Sequence, residues 1–211
     1  MKLKVKVCGM RDPENIRAVA ALQPDFLGFI FYPKSPRFLK SSQGFPIDLP
    51  ASICSTGVFV DEKPERILEL VRLFQLKAVQ LHGQESPEMC DILRNSGLTV
   101  LKAFPVASEG DLLRARDFEG SVDYLVLDTK TIHHGGSGQK FDWQLLDKYQ
   151  SRLPFLLGGG VSSEDVTAIQ LIQHPRLAGV DINSRFEDSP GNKNINLVRE
   201  FINQLNSIRK I

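Results

Sequence analysis

The strongest constraint on this chain is a rhythm. Short, β-branched apolar runs recur at Leu3–Val7, Phe26–Phe31, Thr56–Val60, Ala78–Leu81, Val100–Phe104, Tyr124–Leu127, Phe155–Leu157 and Leu177–Ile182. Their starts fall roughly 20–30 residues apart, the length of one strand plus one helix. Helical spacing fills the intervals. Pro13–Leu22 places Ile16, Val19, Ala20 and Leu22 on one face, behind an Asp12 cap and a proline at the first helical position. Pro64–Leu76, Pro87–Asn95, Glu109–Phe118, Trp143–Tyr149, Ser163–Ile172 and Ile195–Ile208 complete the helical candidates. The strands read as continuous apolar runs rather than alternations, as strands buried on both faces do. Eight such units predict a single-domain (β/α)8 TIM barrel over residues 1–211, with a doubly wound open sheet as the alternative. The second unit is the weak one. Pro33, Pro36, Gly44, Pro46 and Pro50 lie between Phe31 and Ser55, which predicts a short, distorted or missing helix around Ser41–Ala51.

Composition narrows the function classes. The 211 residues carry 26 basic and 25 acidic side chains, a net charge of +1, with no long basic run to bind nucleic acid. No run approaches the roughly 20 apolar residues of a membrane span, and Met1–Lys6 does not have the pattern of a secretory signal. Cys8, Cys54 and Cys90 are sparse and lack metal-ligand spacing, which fits a reducing, cytoplasmic setting. Cys54 reads as lying just before a strand and Cys90 as lying in a helix, so both are expected to be small core residues. The expected partner is a small molecule, with no metal and no cofactor, and a monomer is preferred over a homodimer.

In a barrel, chemistry gathers where the strands end. The ends here deliver Cys8-Gly9-Met10, the loop Tyr32-Pro33-Lys34-Ser35-Pro36-Arg37, Gln80-Leu81-His82-Gly83, Asp128-Thr129-Lys130, Gly158-Gly159-Gly160 and Asp181-Ile182-Asn183-Ser184. The last two segments predict a phosphate seat, with Ser162 and Asp165 spaced as a capping box and Ser184 and Glu187 spaced as another. Neither matches a Walker loop or a dinucleotide fingerprint. Cys8 is a candidate general base if its site favours the thiolate, and Asp128 a candidate general acid if burial keeps its proton. Arg37 has the planar fork that suits a ligand carboxylate or phosphate. Gln80, His82, Asp181, Asn183 and Ser184 join Gly159 and Gly160 as candidate substrate-binding residues. His133-His134 with Gly135–Gly138 predicts a lid rather than a metal pair.

Several strings together resemble the phosphoribosylanthranilate isomerase family. They are Lys6-Val7-Cys8-Gly9-Met10, Gly28 through Arg37, Gly57–Val60, Val79-Gln80-Leu81-His82-Gly83, Leu127–Lys130, Gly135–Gly138 with Phe141-Asp142-Trp143, and Gly158–Val161. They occur in the family's order and span nearly the whole chain. The resemblance implies a cofactor-free Amadori rearrangement of N-(5-phosphoribosyl)anthranilate in tryptophan biosynthesis. It implies Asp128 as the acid, Cys8 as the base, Arg37 against the anthranilate carboxylate, and the loops after strands seven and eight around the phosphate. The chain departs from the family at Asn183-Ser184-Arg185, where many members carry Ser-Ser-Gly, leaving Arg185 to contact phosphate or point outward. The alternatives are another phosphosugar isomerase of the same fold, or a non-catalytic barrel that binds a phosphorylated metabolite.

Overall fold

The computed structural model describes residues 2–40, 48–129 and 140–207. The predicted lid at 133–138 and residues 41–47 of the weak second unit lie outside the described residues. Chain order runs β1 (Lys4–Val7), α1 (Pro13–Ala20), β2 (Phe26–Ile30), β3 (Cys54–Phe59), α2 (Pro64–Phe74), β4 (Ala78–Leu81), α3 (Pro87–Asn95) and β5 (Thr99–Val106). It continues α4 (Glu109–Leu113), β6 (Tyr124–Thr129), β7 (Phe155–Leu157), α5 (Val166–Leu171), β8 (Leu177–Ile182), β9 (Glu187–Ser189), β10 (Asn192–Lys193) and α6 (Ile195–Ser207). The first eight strands pair in parallel in sequence order, and β1 closes on β8 through Lys4↔Gly179, Val5↔Val180, Lys6↔Asp181 and Val7↔Ile182. The open sheet is thereby excluded.

Local chemistry sets the element ends. Asp12 caps α1 by accepting from the Asn15 backbone amide at 2.8 Å, and Ser86 does the same for Met89 at the start of α3, at 3.4 Å. Both helices carry proline in the first turn, where a missing N–H costs nothing. Three predicted helices are shorter than their periodicity suggested. Arg114–Phe118, Trp143–Lys148 and Ser163–Asp165 wind as 3-10 turns, so α4 and α5 keep only five and six α-helical residues. Apolar spacing at this length does not separate the two helix types. Cys54 opens β3 instead of preceding it.

Two apolar layers surround the barrel wall. Val5, Val7, Val79, Leu81, Leu125, Leu127, Phe155 and Leu157 face outward into one large core shared with the helices. Their inward neighbours Ala78, Leu101, Ala103, Val126 and Leu156 form a separate plug inside the barrel. Each fully buried Leu, Val or Phe contributes about 1.5–3 kcal/mol. The alternation positions the site, because side chains two residues further along a strand point the same way. Beyond Ala78 come Gln80 and His82, and beyond Val126 comes Asp128, so the plug gives way to polar groups at the C-terminal mouth.

Candidate active site

Lys6 on β1 and Cys8 just past its end share the inward face, alternating with the outward Val5 and Val7. Lys6 is fully buried and donates to both carboxylate oxygens of Asp181, its register partner on β8, at 2.9 and 3.0 Å. Burial pushes the Lys6 ammonium down, but Asp181 and Cys8 together outweigh it and hold the pKa above the usual lysine value. Burial pushes the Asp181 carboxyl up, against the pull of Lys6. Burial pushes the Cys8 thiol up; Lys6 and, more weakly, Lys193 pull it back, and Asp181 adds to the rise. Asp181 was expected to bind substrate; both its oxygens are engaged by Lys6.

Arg37 reaches the mouth because the chain doubles back after β2. Phe38 bridges Ile30, and the Leu39 amide donates to the Ile30 carbonyl at 2.8 Å. Among the described residues no helix forms between β2 and β3. The Arg37 Nε and Nη2 groups fork onto Glu187, at 2.7 Å for the Nη2 contact. Glu187 also accepts from Lys193 Nζ and, at 3.1 Å, from the Gly191 amide. Lys193 Nζ in turn donates to Asn183 Oδ1 at 2.8 Å. Burial raises the Glu187 pKa, but Arg37 and Lys193 outweigh it and leave it below the usual carboxylate range. Gly9 sits at φ +78°, and a Cβ there would lie 2.6 Å from Arg37 Cδ and 2.7 Å from Asn183 Oδ1. This glycine lets the loops after β1, β2 and β8 meet.

The proposed capping box of Ser184 and Glu187 does not form. Asn183 occupies the position before the Ser184–Phe186 turn, and the Glu187 carboxylate points to the two cations instead. An ion pair to buried cations outcompetes a cap hydrogen bond. The other box is present: Asp165 accepts from the Ser162 amide at 2.7 Å and its hydroxyl at 2.9 Å. Before it, Gly159 and Gly160 both take left-handed conformations, φ +71° and +70°. A Cβ on Gly159 would lie 2.5 Å from the Thr129 amide and 2.9 Å from Asp128 Oδ1. Arg185 is exposed, while Phe186 packs on Phe201 with ring centroids 4.9 Å apart.

Asp128 stands on the opposite wall. Its Oδ1 accepts from the Thr129 amide at 2.8 Å, and its Oδ2 lies 3.4 Å from His82 Nε2. His82 Nδ1 is 3.3 Å from Gln80 Nε2. Gln80 is buried, and its Oε1 has no hydrogen-bond partner among the described residues. The structure thus brings all ten candidate residues to one end of the barrel. Three further charged groups at this end were not read as site residues from the sequence: Lys6, Glu187 and Lys193. Lys6 was visible two residues before Cys8, on the same strand face. Glu187 and Lys193 come from the hairpin β9–β10, signalled by Ser189-Pro190-Gly191-Asn192, a turn sequence between two short segments. Lys102, the other strand-end lysine described, is committed to the wall: it donates to the Leu81, Gly83 and Ala103 carbonyls and pairs with Glu85 at 3.2 Å.

Comparison with known proteins places this mouth in a family. Residues 5–204 match the family model described as N-(5'phosphoribosyl)anthranilate (PRA) isomerase. The N-(5'-phosphoribosyl)anthranilate isomerase of Parabacteroides distasonis is 45% identical over 204 residues, covering 95% of this chain and 92% of that protein. A crystal structure of the Thermotoga maritima phosphoribosyl anthranilate isomerase superposes with a TM-score of 0.82 at 36% identity, covering 96% of this chain and 98% of that one. A phosphoribosyl anthranilate isomerase in complex with reduced 1-(o-carboxyphenylamino)-1-deoxyribulose 5-phosphate gives 0.79 at 33% identity, with the same coverage. With a family model spanning nearly all of it and relatives this similar end to end, the chain belongs to the phosphoribosylanthranilate isomerase family.

Proposed function

We propose that this protein catalyses the Amadori rearrangement of N-(5-phosphoribosyl)anthranilate to 1-(2-carboxyphenylamino)-1-deoxyribulose 5-phosphate, a step of tryptophan biosynthesis. The observation that carries the reading is the facing of a thiol and a carboxyl across one barrel mouth, in a chain of this family. Protonated Asp128 gives its proton to the ribose ring oxygen, and the C1–O bond breaks to leave a protonated Schiff base. Cys8 as thiolate removes the proton from C2, and the electron pair moves to the iminium nitrogen, forming an enolamine. Tautomerisation of the enolamine delivers the ketone. Each proton transfer contributes about 10²–10⁴-fold. The positive iminium acidifies C2, so a thiolate suffices as base.

The ligand-free site holds Cys8 as the thiol, because burial dominates. Lys6 is the cation that favours the thiolate when substrate arrives. Glu187 takes the Nε and Nη2 side of Arg37, leaving the Nη1 side to meet the anthranilate carboxylate. The amides of Gly159 and Gly160, with those at Asn183 and Ser184, form the phosphate seat. Gln80 and His82 line the wall beside Asp128, and Asp181 serves the site by holding Lys6. The protein works in the cytoplasm as a monomer: among the described residues, the exposed large apolar side chains Leu73, Ile92, Leu113 and Leu171 are spread over four helices. Among the described residues, no helix is long and apolar enough to cross a membrane.

The test is loss of anthranilate fluorescence from freshly generated substrate, measured above its spontaneous decay. Wild type is expected to turn over. Asp128→Asn and Cys8→Ser are each expected to lose about 10²–10⁴-fold in kcat. Full turnover in either variant removes that residue from the mechanism. A folded wild type that binds inorganic phosphate but leaves the signal at background would support the non-catalytic barrel instead.

A further inference from the structure

Resting on Asp128 as the acid, we propose that Gln80 and His82 act through it as positioning residues: the Gln80 amide sets the His82 tautomer that matches the protonation state of Asp128. The argument starts from donor counting. A neutral imidazole has one N–H and one lone pair, so whichever nitrogen faces Asp128 fixes what the other must find. When Asp128 is ionised, His82 Nε2 must carry the hydrogen and donate across the 3.4 Å contact. His82 Nδ1 is then an acceptor, and Gln80 Nε2 donates to it across 3.3 Å.

When Asp128 is protonated, the roles reverse. Thr129 donates its amide to Oδ1, so the acid's proton sits on Oδ2, the oxygen that faces His82. His82 Nε2 becomes the acceptor and Nδ1 carries the hydrogen. Gln80 must then present an oxygen. Its Oε1 is buried and unpartnered among the described residues, and a half-turn of the amide brings it to Nδ1. A glutamine is the side chain that satisfies both arrangements, since its amide is donor at one end and acceptor at the other. The pair therefore holds the carboxyl in one place as it loses and regains its proton. Other groups around Asp128 do not substitute. Asp181, on β8, is engaged by Lys6 and is an acceptor, and Gly159 presses on Oδ1 with no side chain.

Asp128→Asn supplies a direct test. The Thr129 amide keeps the asparagine oxygen at the Oδ1 position, which puts its NH2 group opposite His82 Nε2. This variant mimics the protonated acid. At pH 8, above the ordinary imidazole range near 6.5, ¹⁵N NMR of histidine-labelled ligand-free protein is expected to show the Nε2–H tautomer of His82 in wild type. Asp128→Asn is expected to show Nδ1–H. The same tautomer in both proteins overturns the proposal. In turnover, Gln80→Met keeps the volume and removes the amide. It is expected to lower kcat about 10-fold, the worth of one hydrogen bond, to leave KM within about 2-fold, and to move the pH profile of kcat. A lower kcat with an unmoved pH profile means a packing role only and overturns it. His82→Gln, whose amide also reaches Asp128, is expected to keep more kcat than His82→Leu; equal losses count against the proposal. A wild type that shows no turnover defeats the functional reading, and the tautomer comparison then decides the coupling by itself.

Discussion

The two walls of the barrel mouth are built on different principles. The β1–β8 side carries full charges in close pairs: Lys6 with Asp181 at 2.9 Å, Arg37 with Glu187 at 2.7 Å, and Lys193 with Glu187. On the β4–β6 side, Asp128 meets one backbone amide at 2.8 Å and the side chains of His82 and Gln80 in a row at 3.3–3.4 Å, ending in an unpartnered oxygen among the described residues. The charged wall is fixed, because breaking a buried pair exposes an uncompensated ion. The second wall rearranges cheaply, because a tautomer change and an amide rotation move no net charge. The proposed base, which must become an anion, is served by fixed cations. The proposed acid, which must lose and regain a proton, is served by partners able to exchange donor and acceptor roles.

The largest way to break this contrast after the two catalytic substitutions is Lys6→Met. It leaves Asp181 buried without its cation, and a loss of about 3–5 kcal/mol is expected in denaturant unfolding. Lys6→Met combined with Asp181→Leu is expected to recover most of that stability, while turnover stays low because Cys8 has lost its cation. Full activity in the folded double variant would deny Lys6 any part in forming the thiolate.

Gly159→Ala tests where the two walls meet. The left-handed backbone and the 2.5 Å approach to the Thr129 amide are expected to cost about 1–3 kcal/mol. Because the same Cβ crowds Asp128 Oδ1, kcat is expected to fall together with melting temperature. A variant as stable and as active as wild type would show that the loop after β7 yields freely.

The smallest effect concerns the brace behind that loop. Burial pushes the Asp165 carboxyl up, but Lys140 and Ser162 outweigh it and hold its pKa below the ordinary value. A depressed carboxylate stabilises the fold above its unfolded pKa, about 3.9, and that stability is lost as pH falls through the lower folded value. Asp165→Ala is therefore expected to be about 1 kcal/mol less stable at pH 7, with the gap closing as the pH drops below about 3.9. Melting curves of both proteins from pH 7 to pH 3 measure it; a gap independent of pH would mean that Asp165 acts by packing alone.

Much of this was legible in the residue order. Strand ends alone put Cys8, Gln80, His82 and Asp128 at the C-terminal mouth, since barrel chemistry gathers there; which face of each strand turns inward was seen only in the structure. Asp12-Pro13 and Ser86-Pro87 announced helix starts because capping is local chemistry. The 3-10 turns at Arg114–Phe118 and Trp143–Lys148 were not legible, because short apolar spacings fit either helix and packing decides. Glu187 was misassigned for a related reason. Its spacing to Ser184 suited a cap, and nothing within four residues shows that Arg37, 150 positions earlier, would claim it.

The sequence by itself determined eight strand–helix units and put a thiol and a carboxyl at strand ends, because each follows from periodicity and from residue type; that the strands close into a barrel rather than an open sheet was decided by the structure. Only the tertiary structure decided the partners. Closure of β1 on β8 joins Lys6 to Asp181, the loop after β2 carries Arg37 back to the hairpin β9–β10, and neighbouring strands align Gln80, His82 and Asp128. Those pairings depend on through-space distances between residues far apart in the chain, and local pattern carries no record of them.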